Sequence, residues 1–77
     1  MKVSLERYVL VDSLYGVASA KNGGQLTRFR DISKDYYHKE GYYPKLYMTP
    51  ESAAKAAKQL GMGVVKKIIV TYDIDEV

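Results

Sequence analysis

The sequence predicts a small α+β domain in which four or five strands form an antiparallel or mixed sheet and one alanine-rich helix packs on one face. Two observations support this class. The segment 50–60 carries the signals of both helix ends, and the segments on either side are rich in valine, isoleucine and tyrosine, as strands are. With 77 residues, of which 47% are apolar, the chain has the length and composition of one domain over 1–77.

The first third of the chain predicts three strands. Residues 7–14 are apolar on both alternating faces, which is typical of a central strand. A second strand is expected over 15–20, and Asn22-Gly23 supplies the positive φ angles of a tight hairpin turn. The return strand of this hairpin is then expected over about 25–31.

The segment that follows is ambiguous between helix and loop. Phe29, Ile32 and Tyr36 have the spacing of one helix face, and Gly41 is suited to closing a helix. The strand that begins at 25 competes with that interpretation. We therefore expect a short irregular or helical excursion over 33–40.

The main helix has the clearest signals. Thr49 can cap the first turn, Pro50 suits the first helical position, and Gly61 can take the left-handed closing conformation. Glu51 in the first turn and Lys58 in the last turn complement the helix dipole. The stripe expected to face the sheet consists of Ala53, Ala56, Ala57 and Leu60.

Two more strands are expected to flank the main helix. Pro44 keeps the residue before it extended, and Lys45–Met48 is predicted as a short strand or as an extended entry to the helix. The segment 64–74 is the strongest strand of the sequence, with apolar residues on both faces. The side chains of this strand expected to receive the helix are Ile68, Val70, Tyr72 and Ile74.

Charge and composition restrict the possible classes. The net charge is +3, but residues 21–67 contain ten Lys and Arg against four Asp and Glu, which is a local charge of +6. This basic middle favours an anionic partner, or serves only solubility. The chain contains no cysteine, which excludes disulfides and thiolate sites. Without a signal-peptide core or an apolar run of about 20 residues, we expect a soluble cytoplasmic protein with no membrane partner.

Patterns for catalysis and metal binding are weak. His38 is the only histidine, and no strand–turn–helix elbow surrounds the nearby Ser33 or Asp35. We expect a surface histidine, a protein that is not an enzyme, and no cofactor or metal. The acidic residues near the C-terminus lack the further ligands and the glycine of a calcium loop, and are expected to form a solvated tail: Asp73, Asp75 and Glu76.

The one unusual feature is tyrosine. Five of the eight tyrosines fall within 36–47, and a small core cannot bury all these rings and satisfy every hydroxyl. Tyrosines interleaved with cations favour a non-catalytic binding protein that contacts an acidic protein surface. The alternative is a nucleic-acid-binding protein whose rings stack on bases; otherwise some rings only pack the loop onto the sheet edge. The predicted binding residues are Arg28, Arg30, Tyr36, Tyr37, His38, Lys39, Tyr42, Tyr43 and Lys45.

Pairing with a second copy is a further prediction. A strand with an unpaired edge exposes N–H and C=O groups to any other strand that reaches it. The segment 15–20 or the segment 45–48 is expected to leave such an edge, which would allow a homodimer, and the sequence leaves the oligomeric state open.

Four motifs follow one another along the chain: Tyr8-Val9-Leu10-Val11, Asn22-Gly23-Gly24, the run from Lys45 to Ala57, and a closing strand rich in valine and isoleucine. In this order they resemble short bacteriophage-encoded early proteins, and the resemblance covers most of the chain. It implies a protein that binds and inhibits or redirects a host protein without catalysis, in the cytoplasm of a bacterial host. It assigns no functional residue.

Overall fold

The structure, a computed structural model, describes residues 1–21 and 26–75, without the side chains of residues 26 and 27. Within these residues it contains one antiparallel sheet of five strands, a helix of 11 residues and a helix of a single turn. The predicted α+β class is therefore confirmed. The elements are β1 (Lys2–Val11), β2 (Gly16–Lys21), β3 (Leu26–Asp31), α1 (Tyr36–Lys39), β4 (Tyr42–Pro44), α2 (Pro50–Leu60) and β5 (Val64–Asp73).

The sheet is built around the long pair of β1 and β5. Its strand order is β3-β2-β1-β5, and β4 pairs with β2. The β1–β5 ladder runs without interruption from Lys2 opposite Asp73 to Val11 opposite Val64. β1 therefore begins at Lys2 and not at residue 7 as predicted, because the full length of β5 is available to pair with it.

A tight turn ends β1 at Val11, so the predicted extension of this strand to residue 14 is wrong. The Asp12 N–H donates to the Gly16 carbonyl over 3.0 Å, and the Gly16 N–H donates to Ser13 Oγ over 3.1 Å. A Cβ atom on Gly16 would lie 1.9 Å from Asp12 Oδ1, so any other residue here would displace the Asp12 side chain from this turn. The next predicted turn, at Asn22-Gly23, lies outside the described residues, and the strands on either side of it pair antiparallel.

The ambiguous segment contains a turn and then one turn of helix. Ser33 donates its backbone N–H to Asp31 Oδ1 over 2.8 Å and its hydroxyl to the same oxygen. This local bonding bends the chain after β3, and α1 begins only at Tyr36. Gly41 follows α1 with a φ of +80°. The helical spacing from Phe29 onwards is therefore accidental, since Phe29 belongs to β3.

The strand predicted over 45–48 forms three residues earlier, as β4. Pro44 ends β4, because proline has no N–H with which to continue a ladder. The segment after it is still held, since the Lys45 N–H donates to the Ala18 carbonyl and Tyr47 exchanges two backbone hydrogen bonds with Tyr8. The other predicted edge, 15–20, is paired on one side with β3 and on the other with β1 and β4. Neither segment is the free edge that we expected.

The ends of α2 are as predicted. Thr49 Oγ1 accepts a hydrogen bond from the Ser52 N–H over 3.1 Å, and Gly61 closes the helix with a φ of +77°. Ala53 is fully buried, and Ala56 and Ala57 pack against the core formed by Leu10 and Ala18. Leu60, the last residue of α2 and predicted to belong to this stripe, is 44% exposed.

The two faces of the sheet differ in what covers them. In an antiparallel pair, residues directly opposite each other share a face. Leu10 faces α2 and lies opposite Val65, so α2 covers the odd-numbered positions of β5, and the prediction that Ile68, Val70, Tyr72 and Ile74 receive the helix is wrong. We call the side covered by α2 the helix face and the opposite side the groove face.

Candidate binding surface

A broad apolar groove of about 580 Å³ lies on the groove face. Its floor is formed by Val9 and Val17, each only 4% exposed, and its walls include Leu14 and Val64, which are 83% and 58% exposed. Ile32 and Ile68 complete the apolar lining. The groove therefore presents apolar side chains to solvent around a buried base.

Strand pairing, the turn after β1 and the segment after β3 position these side chains. Val11 lies opposite Val64 on β5 and opposite Val17 on β2, so valines of three strands meet at one point of the groove face. The turn that follows β1 raises Leu14 beside them. The Ile32 N–H donates to the Tyr15 carbonyl over 3.0 Å, which ties the segment after β3 to the same turn. The groove is thus framed by backbone hydrogen bonds as well as by packing.

The rim of the groove carries both signs of charge. Lys66 lies opposite Val9 and therefore on the groove face, Lys67 also lines the groove, and Asp12 lines it at the turn after β1. Ser13 Oγ donates to Asp12 Oδ1 over 3.2 Å, which fixes the carboxylate at the turn. The charged side chains that line the groove are therefore two lysines and one carboxylate, which gives the lining a net positive charge.

Tyr37, one of the predicted binding residues, belongs to the interior. It is fully buried on the groove face of β2, where its hydroxyl is hydrogen-bonded to Ser19 Oγ. Ser19 donates its single hydroxyl proton to the Val17 carbonyl over 2.7 Å, so the Tyr37 hydroxyl is the donor to Ser19. Burial raises the pKa of Tyr37 above its ordinary value. This ring holds α1 on the sheet and cannot contact a partner.

Tyr42 and Arg30 are also engaged within the molecule. The Arg30 guanidinium carbon lies 3.9 Å from the centroid of the half-buried Tyr42 ring, and Lys21 Nζ lies 5.6 Å from it. Both contacts are within the range of cation–π attraction. The Tyr42 ring also approaches Tyr37, with 6.2 Å between centroids. These contacts stabilise the packing of α1 and β4 and leave less of either side chain for a partner.

The other predicted residues are exposed but do not form one surface. Tyr43 lies opposite Ala20 and Tyr42 opposite Lys21, so successive residues of β4 point to opposite faces of the sheet. Tyr43, 40% exposed, therefore lies on the helix face. Arg28 lies opposite Ser19 and shares the groove face with Arg30. The remaining exposed members, on α1 and after β4, are Tyr36, His38, Lys39 and Lys45.

His38 has a structural neighbour. Its ring stands edge-on to the Tyr37 ring, with 5.2 Å between centroids, and its surface is exposed. The hydroxyl of the nearby Ser33 is bonded to Asp31, whose pKa is lowered by the two hydrogen bonds from Ser33. Within residues 1–21 and 26–75, no cluster of three or more His, Asp and Glu side chains has the geometry to hold a metal ion.

The groove was missed by sequence reasoning, although a signal for it was present. β1 and β5 are apolar on both faces at Val9, Leu10, Ile68 and Ile69, and the sequence offers only one helix of sufficient length to cover them. One apolar face must then remain without a helix, and this is the groove face. The tyrosine content instead indicates the predicted binding residues, which the structure divides between the interior and two surfaces.

The comparisons with other proteins complete this description. Neither helix of the described residues is long and apolar enough to cross a membrane. Comparison of the chain with protein-family models, with curated proteins and with solved structures gave no match.

Proposed function

We propose that the chain is a non-catalytic binding protein that binds a partner protein on its groove face. The observation that carries this proposal is the apolar groove, with its buried floor and its exposed walls at Leu14 and Val64. Exposed apolar side chains around a concavity are typical of interaction sites, because burying them against a partner removes apolar surface from water.

The partner is expected to present apolar side chains flanked by acids. Lys66 stands at the rim of the groove, Arg28 lies on the same face, and Lys39 is exposed on α1. Cations around an apolar centre accelerate the encounter with an acidic partner and orient it. The resemblance in motif order supports a bacterial host protein, inhibited or redirected in the host cytoplasm, as this partner.

The nucleic-acid alternative has less support. Base stacking requires aromatic faces that are free, whereas Tyr37 is buried and Arg30 lies over the Tyr42 ring. The groove itself is lined mainly by aliphatic side chains, which suit protein side chains better than phosphates.

The test is a comparison of two double variants as bait in a bacterial lysate. Leu14→Ser with Val64→Thr removes apolar surface from the groove walls. Met48→Ser with Ile69→Thr removes a similar exposed apolar surface away from the groove, since Met48 is 75% and Ile69 53% exposed and Ile69 lies on the helix face. We expect the first variant to lose a protein that wild type and the second variant both capture, as read by quantitative mass spectrometry.

Two outcomes would contradict the proposal. One is equal capture of every protein by the two double variants, which would place binding elsewhere. The other is tight, salt-sensitive binding of single-stranded DNA or RNA that the groove variant retains, which would favour the nucleic-acid alternative.

A further inference from the structure

One edge of β1 has no strand beside it over its first half within the described residues. β5 pairs with one edge of β1 along its whole length. On the other edge, the partners of β1 within the described residues are Tyr47, opposite Tyr8, and Val17, opposite Val11. Residues 2–7 therefore have no strand beside them on that edge in the described part of the chain.

The hydrogen bonds around this edge show which groups are available. The Met1 amine donates to the Ile74 carbonyl and the Ile74 N–H donates to the Met1 carbonyl, so odd-numbered residues of β1 bond to β5. Tyr8 exchanges both of its backbone hydrogen bonds with Tyr47, so even-numbered residues point the other way. The outward N–H and C=O groups of this edge thus belong to Lys2, Ser4 and Glu6, and the Glu6 carbonyl accepts a hydrogen bond from the Arg7 side chain, whose Nη1 lies 2.8 Å away.

The side chains along this edge alternate in character. Val3 and Leu5 lie on the groove face and are half-buried, whereas Lys2, Ser4 and Glu6 are exposed on the helix face. The exposed row has a cation at one end, a neutral hydroxyl in the centre and an anion at the other end. A row with this order is complementary to itself when it is reversed.

We propose that two copies of the chain pair through this edge, antiparallel, with Ser4 opposite Ser4 of the second copy. Lys2 of each copy then faces Glu6 of the other, and Val3 faces Leu5. Each facing pair of even-numbered residues exchanges two backbone hydrogen bonds, because both partners point their N–H and C=O groups across the edge. The Lys2 N–H of the second copy replaces the Arg7 side chain as the donor to the Glu6 carbonyl. The two sheets become one continuous antiparallel sheet with a two-fold axis through the Ser4 pair.

The neighbouring registers are less favourable. With Leu5 opposite Leu5, Lys2 would face Tyr8, whose N–H and C=O are already bonded to Tyr47. With Val3 opposite Val3, Lys2 would face Ser4, so opposite charges of this row would not face each other. The register centred on Ser4 is the one that places opposite charges face to face.

A second copy is favoured over an unrelated strand because of this charge order. The edge contains no proline over 2–7, and its charged residues Lys2 and Glu6, which disfavour most other strands, are complementary to those of a second copy. Because the two-fold axis is perpendicular to the sheet, both grooves of the dimer open on the same side. The dimer does not depend on the proposed function, and it would present two binding grooves to one partner.

The test is a charge-exchange experiment by sedimentation equilibrium, on chains without added N-terminal residues. The wild type is expected to reach twice the chain mass of 8.7 kDa with increasing concentration. Lys2→Glu places two carboxylates face to face, and Glu6→Lys places two ammonium groups face to face, so each variant alone should dimerise about tenfold more weakly. A mixture of the two variants restores opposite charges at both ends and should form a heterodimer at least as tight as the wild-type dimer.

A second pair of variants tests the edge without changing charge. Ser4→Pro removes the N–H that points across the edge and leaves the β5 ladder intact, because the Ser4 N–H is not directed at β5. Ser4→Ala keeps that N–H. Both variants lose the Ser4 hydroxyl contact with Thr71, 3.2 Å away, so they are matched for it. We expect Ser4→Pro to be a folded monomer by circular dichroism and Ser4→Ala to dimerise as the wild type does.

Three results would overturn the proposal. They are a wild-type chain that stays monomeric at the highest attainable concentration, a dimer that Ser4→Pro leaves intact, and a mixture of the charge variants that associates no better than each variant alone. The last two would show that a dimer forms through another surface or in another register.

Discussion

The two faces of this sheet are made by the same strands but are completed differently. On the helix face, Leu10 and Ala18 are fully buried beneath Ala53 of α2. On the groove face, Val9 and Val17 are nearly as well buried, yet Leu14 and Val64 beside them remain largely exposed. Strand sequence alone therefore does not decide whether an apolar face becomes core or surface.

The difference follows from the number of covering elements. A strand pair with apolar residues on both faces needs a layer on each side. The chain provides α2 for one side, and α1, a single turn attached by Tyr37 above Ser19, covers only part of the other. The uncovered remainder is the groove, and its exposure is the reason to assign binding there.

The largest expected effect contrasts a leucine on each face. Leu10→Ala should lower the free energy of unfolding by about 2–5 kcal/mol, because it opens a cavity in a site with no exposed surface. Leu14→Ala should change it by no more than about 0.5 kcal/mol, because that side chain is 83% exposed. Urea unfolding of both variants followed by circular dichroism measures the difference.

The same pair of variants can contradict this comparison between the helix face and the groove face. A loss above about 1 kcal/mol for Leu14→Ala would mean that the groove wall is covered in solution. Repeating the measurement at several protein concentrations then distinguishes the cover. If the loss decreases on dilution, a second copy provides the cover; if it is independent of concentration, a segment of the same chain does.

A smaller effect is expected at the attachment of α1 to the groove face. Tyr37→Phe removes the donor to Ser19 and should cost about 0.5–1.5 kcal/mol at neutral pH. Burial raises the pKa of Tyr37 above 10.0. The stability that its protonated hydroxyl contributes is therefore complete below pH 10 and is lost as the pH rises through the folded-state pKa. The stability difference between wild type and Tyr37→Phe should therefore shrink above pH 10, as followed by urea unfolding at several pH values.

Tyr36 provides the control for this prediction. It precedes Tyr37 in α1 and is 40% exposed, so Tyr36→Phe should cost less than about 0.5 kcal/mol at every pH. If the two variants behaved alike, the assignment of Tyr37 to the interior and of Tyr36 to the surface would be wrong.

How much the sequence could predict depends on whether the deciding contacts are local. The ends of α2 are set by Thr49 and Gly61 within the helix itself, and both were predicted. The face of β5 that packs against α2 could not be predicted from the sequence, because Ile68 and Ile69 are equally apolar and only the register with β1 decides between them. Tyr37 is buried and Tyr36 is not because Tyr37 bonds to Ser19, which lies 18 residues away in the sequence. No local sequence pattern indicates such a contact.

The smallest effect concerns the turn that leads to the groove wall at Ile32. Two hydrogen bonds from Ser33 hold the pKa of the Asp31 carboxyl below 3.8, so this carboxylate contributes stability above pH 3.8 that is lost as the pH falls through its folded-state pKa. Ser33→Ala removes the hydroxyl bond and should move the Asp31 titration midpoint towards 3.8, as read by carboxyl NMR. Ser13→Ala, in the turn on the other side of the groove, should leave that midpoint unchanged. A wild-type midpoint at 3.8, or the same shift in both variants, would mean that the turn after β3 is not held by this carboxylate, and that Ile32 is fixed only by its backbone bond to Tyr15.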